Sequence, residues 1–123
     1  MSKSRSLRES ISYAFSGLKT IFRNEPNVRI HLLIAALTIM AGAILTLSQT
    51  EWIILLFTIS FVLILEFINT SLEALTDIVS PQINREAKIA KDVSAAAVLI
   101  SVVLSVIVGI FLFLPKILQF IGG

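Results

Sequence analysis

Leu7, Ile11, Phe15, Leu18 and Phe22 recur at helical spacing, with Arg5, Arg8, Ser12, Lys19 and Arg23 falling largely opposite them. A helix patterned this way lies in the membrane interface, apolar face down. Ser6-Leu7-Arg8-Glu9 has the S-x-x-E spacing of a capping box, and Pro26 should interrupt the helix, so the surface helix is expected over about 6–24. Beyond Pro26 the pattern changes. Ile30 to Leu47 carries no formal charge with His31 neutral, and roughly 20 apolar residues cross a hydrocarbon core of about 30 Å, which predicts a first span over 28–47. Ser48-Gln49-Thr50-Glu51 reads as a polar turn without a cation, and Trp52 is an aromatic suited to the interface. The second span, over 52–75, is apolar through Leu65 and then runs without a turn residue into Glu66, Asn69, Glu73 and Asp77. Ser80-Pro81 breaks it. Asn84 can cap a third helix that opens with Arg85, Glu86, Lys88, Lys91 and Asp92 and is apolar from Val93 to Leu114, giving a span over 85–114 that ends at Pro115-Lys116. The expected fold is an all-α integral membrane protein, one domain over 1–123: a surface helix and three transmembrane helices.

Composition agrees. The chain of 123 residues is 56% hydrophobic and 15% charged, too apolar for a soluble domain of this size. Without cysteine it has no disulfide, thiol nucleophile or thiolate metal site. The net charge of +2 is unremarkable, and no nucleic-acid partner is expected. Distribution matters more: of the ten basic residues, all but Lys116 precede Ile30 or lie between Arg85 and Lys91. By the positive-inside rule these two regions face the cytoplasm and the 48–51 turn faces out. Ala41-Gly42-Ala43 has the look of a signal-peptidase site, but a long basic region precedes it and two more spans come after it.

The chemistry is concentrated on the second span. Glu66, Asn69, Thr70, Glu73 and Asp77 stand at i, i+3, i+4, i+7 and i+11, one stripe of a helix. Carboxylates near a bilayer cost several kcal/mol unless paired, hydrated or bound to a cation, so such a stripe is a functional hypothesis by default. The bland reading is that Glu73 and Asp77 lie in the headgroup region, solvated and paired with Lys or Arg. Glu25, just before the first span, can approach Glu73 when the helices pack, and two carboxylates suit a hard cation. Lys91 and Asp92 would add phosphate contact and polar orientation, against a plain reading of Lys91 as snorkelling toward headgroups. His31 has no second His or Cys to complete a metal site and reads as a packing or headgroup contact. Ser94-Ala95-Ala96-Ala97 reads as a close-packing surface. Asn69-Thr70-Ser71 matches a glycosylation acceptor but falls on the inner side of the membrane. Neither G-x-x-x-x-G-K-[ST] nor a kinase glycine-rich loop is present.

On the residues alone, three classes stay open: a membrane phosphotransferase, a small transporter using Glu66 as a proton-coupled carboxylate, and a structural subunit. Phosphoryl transfer needs metal, phosphate contact and a base together, which transport does not.

Glu66-Phe67-Ile68-Asn69-Thr70-Ser71-Leu72-Glu73-Ala74, followed by Ala90-Lys91-Asp92, resembles the prokaryotic diacylglycerol kinase family. The resemblance takes in Tyr13, Gly17 and Asn24-Glu25 and covers nearly the whole chain. It implies a homotrimer in the bacterial cell (inner) membrane, with active sites shared between protomers on the cytoplasmic side. There the γ-phosphate of ATP, with Mg2+, would pass to a lipid alcohol. Carried over by position, Glu66 would be the general base, and Glu25 and Glu73 would hold the metal. Tyr13, Glu25, Glu73, Asp77, Lys91 and Asp92 would contact the nucleotide, and Asn69, Thr70 and Ala95 would support substrate and site. Gln82-Ile83-Asn84 matches a nucleotide-contacting loop of the enterobacterial branch in place but not in residue type. That branch's N-terminal arginine aligns with Ser6, leaving Arg5 or Arg8 as substitutes. Asn27-Val28-Arg29-Ile30-His31, Ser80-Pro81 and Phe113-Leu114-Pro115-Lys116 look more like the Gram-positive branch, which implies undecaprenol as substrate, with diacylglycerol as the close alternative.

Overall fold

A computed structural model of the chain describes residues 4–82 and 84–123. They form four helices: α1 (Leu7–Asn24), α2 (Pro26–Ile44), α3 (Gln49–Val79) and α4 (Arg85–Gly122). The last three are long and apolar enough to cross a membrane, as the sequence pattern requires.

Ser6 is the N-cap of α1, its Oγ accepting the Glu9 N–H at 3.2 Å. Pro26 forces the preceding residue out of the helical region, and Glu25 is accordingly extended at φ −113° and ψ 101°. Glu25 nonetheless serves both helices: its N–H donates to the Ile21 carbonyl (2.9 Å) and its carbonyl accepts from the Arg29 N–H (3.4 Å). The Arg29 guanidinium turns back to donate to the Phe22 and Arg23 carbonyls, at 3.1 and 3.0 Å. A cation there satisfies orphan carbonyls and the negative end of the α1 dipole. The corner that carries Glu25 is therefore fixed from both sides.

At the other end of α2, the Leu47 N–H donates to the Gly42 carbonyl at 3.1 Å, the six-to-one bond of a Schellman motif, with Thr46 in the left-handed region at φ 55°. A Cβ on Gly42 would lie 2.8 Å from Leu47 Cδ1 and 3.0 Å from the Trp52 ring, so close packing demands glycine there. The polar turn expected at 48–51 is shorter than its sequence suggests. Ser48 caps α3 and Gln49–Glu51 already belong to the helix, because Ser48 and Glu51 form a complete capping box (3.2 and 2.9 Å). Helix α4 likewise runs past Pro115, where the sequence placed the end of the span, to Gly122. A proline removes one backbone bond without ending a helix whose next residues favour it, and Lys116 is held beyond it by Glu51 at 3.2 Å.

Helices α3 and α4 make the main antiparallel pair. Leu55 and Val62 on α3, and Ser94 and Ser101 on α4, are buried at seven-residue intervals, the spacing that keeps a seam facing its partner. The apolar core, Leu47, Leu55 and Leu112 with Trp52, Ile59, Val108 and Phe113 around it, sits at the Trp52 end. Side chains such as Phe57, Ile100 and Phe111 are exposed over the rest of the surface, as a lipid-facing protein requires.

Length then sets depth. At about 1.5 Å per residue, Glu66 lies about 21 Å along α3 from Trp52, inside a hydrocarbon core of about 30 Å, whereas Glu73 lies about 31 Å along, at its boundary. Asp77 and the first turns of α4 stand beyond it.

Candidate active site

Glu66 is 6% exposed, and its Oε1 lies 3.1 Å from His31 Nε2 on α2. His31 is thus a packing residue of a particular kind, the side chain that meets the buried carboxylate. One turn on, the Thr70 hydroxyl donates to the Glu66 carbonyl at 3.1 Å. Asn69 faces the other way. Its Oδ1 accepts from the Ser94 hydroxyl of α4, while its Nδ2 donates to Glu73 Oε1 at 3.3 Å. The stripe therefore fans out, with Glu66 toward α2, Asn69 toward α4, and Glu73 and Asp77 toward the polar end.

Glu25 and Glu73 border the same space. They line one open cleft of ≈ 840 Å³ between α1 and α3, with Asn24 and Asp77 as its other polar residues apart from Ser and Thr hydroxyls, Thr70 among them, on both helices. Among the described residues neither Glu25 nor Glu73 has a Lys or Arg within ion-pair distance. Asp77 does: Lys91 Nζ lies 2.5 Å from its Oδ1, and both side chains are exposed. For Asp77 the solvated, paired reading describes the geometry, whereas Glu73 is half-buried in an open cleft without a close ion-pair partner among the described residues.

Lys91 and Asp92 line a second, adjoining cleft of ≈ 290 Å³ with Ser80, Gln82 and Lys88, and Asp77 borders both clefts. Asp92 is paired with Lys88 at 2.5 Å. Tyr13 is exposed on α1, lines neither cleft, and carries the Arg5 guanidinium 4.7 Å over its ring centroid. Of the two arginines left open, Arg5 is thus the one that shares the Tyr13 patch. Ala95 is exposed on α4 and lines neither cleft. In the loop, Ile83 lies outside the described residues, Gln82 borders the second cleft, and Asn84 caps α4 by accepting the Ala87 N–H at 2.8 Å.

The first cleft suits a hard cation. Its donors are all oxygens or amides, with no His or Cys in the lining. Among the described residues there is no ready cluster of three or more His, Cys, Asp or Glu. Mg2+ fits such a site, because it takes few carboxylates and completes its shell with phosphate and water. Deeper in the bundle, His31, Thr38, Leu55, Thr58, Val62 and Ser105 help to line a cavity of ≈ 90 Å³. Its three hydroxyls donate to carbonyls of their own helices, which leaves His31 as the polar group on an otherwise apolar wall.

Pattern alone does not reveal two participants, His31 as the partner of Glu66 and Ser94 as the partner of Asn69. The available signal for His31 is its position: an ionisable residue inside a span that pairs with another is the usual arrangement.

A family model described as prokaryotic diacylglycerol kinase matches residues 12–113. The chain is 34% identical over 108 residues to the undecaprenol kinase of Bacillus subtilis (strain 168), covering 88% of each protein. It is 40% identical over 111 residues to the diacylglycerol kinase of Synechocystis, covering 89% of this chain and 63% of that protein. Against the diacylglycerol kinase of Escherichia coli (strain K12) the identity is 26% over 99 residues, 80% of this chain and 81% of that one. A match that encloses α2, α3 and both clefts, together with relatives aligned over most of its length, establishes that the chain belongs to the prokaryotic diacylglycerol kinase family.

Proposed function

We propose that this chain, a member of a family of lipid kinases, transfers the γ-phosphate of ATP to the hydroxyl of a membrane lipid alcohol, undecaprenol first and diacylglycerol as the alternative. The observation that carries the reading is the cleft in which Glu25 and Glu73, from different helices and without a cationic partner among the described residues, face one space at the polar end of the bundle. Mg2+ bound there would neutralise phosphate charge. Glu66, deeper in the hydrocarbon, accepts the proton of the lipid hydroxyl as its oxygen bonds to the γ-phosphorus and ADP departs. Lys91 and Asp92 contact the nucleotide from the adjoining cleft, with Asp77 between the two, and Tyr13 with Arg5 adds a contact from α1. Asn69 and Thr70 support the stripe. With a kinase family in hand, the transporter and structural-subunit readings are set aside.

Undecaprenol is favoured by the coverage of the Bacillus relative, which aligns over 88% of both chains. The Synechocystis relative, higher in identity but matched over 63% of its own length, favours diacylglycerol. A homotrimer belongs to the same proposal: within one chain Tyr13 and Ala95 are exposed and line neither cleft, as expected of sites completed by a neighbouring copy. The cationic segments favour the cytoplasmic side of the cell membrane for these clefts.

ATP consumption by purified protein in detergent tests the reading, with undecaprenol, diacylglycerol or no lipid added. Stimulation by undecaprenol above diacylglycerol is expected. Preference for diacylglycerol would reverse the substrate order, and no lipid-dependent consumption would remove the function.

A further inference from the structure

We propose that His31 is a positioning residue for Glu66, holding its carboxylate in the orientation that meets the lipid hydroxyl; this rests on the reading of Glu66 as the base. Glu66 is buried, and its Oε1 lies 3.1 Å from His31 Nε2. The groups that could compete for that role are engaged or distant. On α2, Arg29 is committed to the carbonyls that end α1, and the Thr38 hydroxyl to the Ala35 carbonyl. On α4 no titratable residue occurs between Asp92 and Lys116. On α3 itself, Glu73 is held by Asn69. A glutamate has three rotatable side-chain bonds, and in an apolar setting only a polar neighbour selects among their rotamers. An imidazole presenting N–H from Nε2 toward Glu66 Oε1 does so. His31 and Glu66 both lie outside the linings of the two clefts, and Glu66 is the carboxylate that His31 meets.

The test is a cycle of variants, His31→Ala, His31→Gln, Glu66→Gln and the double His31→Ala/Glu66→Gln, with kcat and the KM for ATP measured by radiolabelled phosphate transfer. His31→Ala is expected to lower kcat about 10- to 100-fold, the range for a misplaced reacting group, with the KM for ATP unchanged within about twofold. His31→Gln, which keeps an N–H within reach of the carboxylate, should recover part of that loss. In the Glu66→Gln background His31→Ala should cost less than about twofold, because the group it positions is gone. Full activity in His31→Ala, or an equal loss in both backgrounds, would overturn the proposal and leave Glu66 as base intact. Near-normal turnover in Glu66→Gln would instead overturn the base assignment, and the proposal with it.

Discussion

Asn69 joins Ser94 to Glu73: its carbonyl oxygen accepts from the Ser94 hydroxyl on α4, and its amide nitrogen donates to Glu73 Oε1 at 3.3 Å. One side chain thus ties the main helix pair together and orients a proposed metal ligand. Ser94→Ala should cost about 0.5–1.5 kcal/mol of stability and leave ATP–Mg2+ binding nearly unchanged. Asn69→Ala should cost stability too, and should also weaken ATP–Mg2+ binding about tenfold or more, since supporting partners of ligating carboxylates typically matter by 10- to 100-fold. Thermal unfolding in detergent, alongside calorimetric titration with ATP–Mg2+, separates the two.

Thr46 and Gly42 sit in one helix-ending motif, the first at odds with its backbone geometry and the second required by its packing. Thr46 occupies the left-handed region at φ 55°, where a β-branched residue is strained by about 1–2 kcal/mol. Thr46→Gly should recover up to about 1 kcal/mol of that, after the entropy a glycine adds to the unfolded chain. Gly42→Ala should do the opposite, by about 1–3 kcal/mol, because its Cβ would press on Leu47 and the rigid Trp52 ring. Melting temperatures of the two variants should move in opposite directions.

Orientation can be read from the cations. Single cysteines at Ser4 and Gln82 should react with an impermeant reagent only from the cytoplasmic side, and one at Gln49 only from outside. Labelling of Ser4 and Gln49 from the same side would defeat the three-span arrangement.

Much of the fold is legible in the sequence because its determinants are local. The Ser6 cap, the break at Pro26 and the Asn84 cap each depend on residues within one turn. The Ser48-Glu51 box carries the same signal as Ser6-Glu9, but the polar run around it also fits a turn. Pro115 does not end the helix, because a proline costs one bond without deciding the conformation of the residues after it. Helical spacing also puts Glu66, Asn69, Glu73 and Asp77 on one stripe, but a stripe about 100° wide can meet three neighbours. Which residue faces which helix depends on how helices distant in sequence pack. That is why the His31–Glu66 approach and the Ser94–Asn69 bond are not visible in the sequence, and why Asp77 finds Lys91 across the α3–α4 loop.

The proposed function divides the labour between Glu66 and Glu73, about 10 Å apart along α3. It is tested most directly by measuring turnover on saturating lipid together with ATP–Mg2+ binding in Glu66→Gln and Glu73→Gln, with assembly checked by size. Glu66→Gln should lose about 10²–10⁴-fold in turnover and still bind ATP–Mg2+. Glu73→Gln should lose binding as well as turnover. Near-normal turnover in Glu66→Gln, or loss of nucleotide binding in that variant with binding intact in Glu73→Gln, would contradict the account.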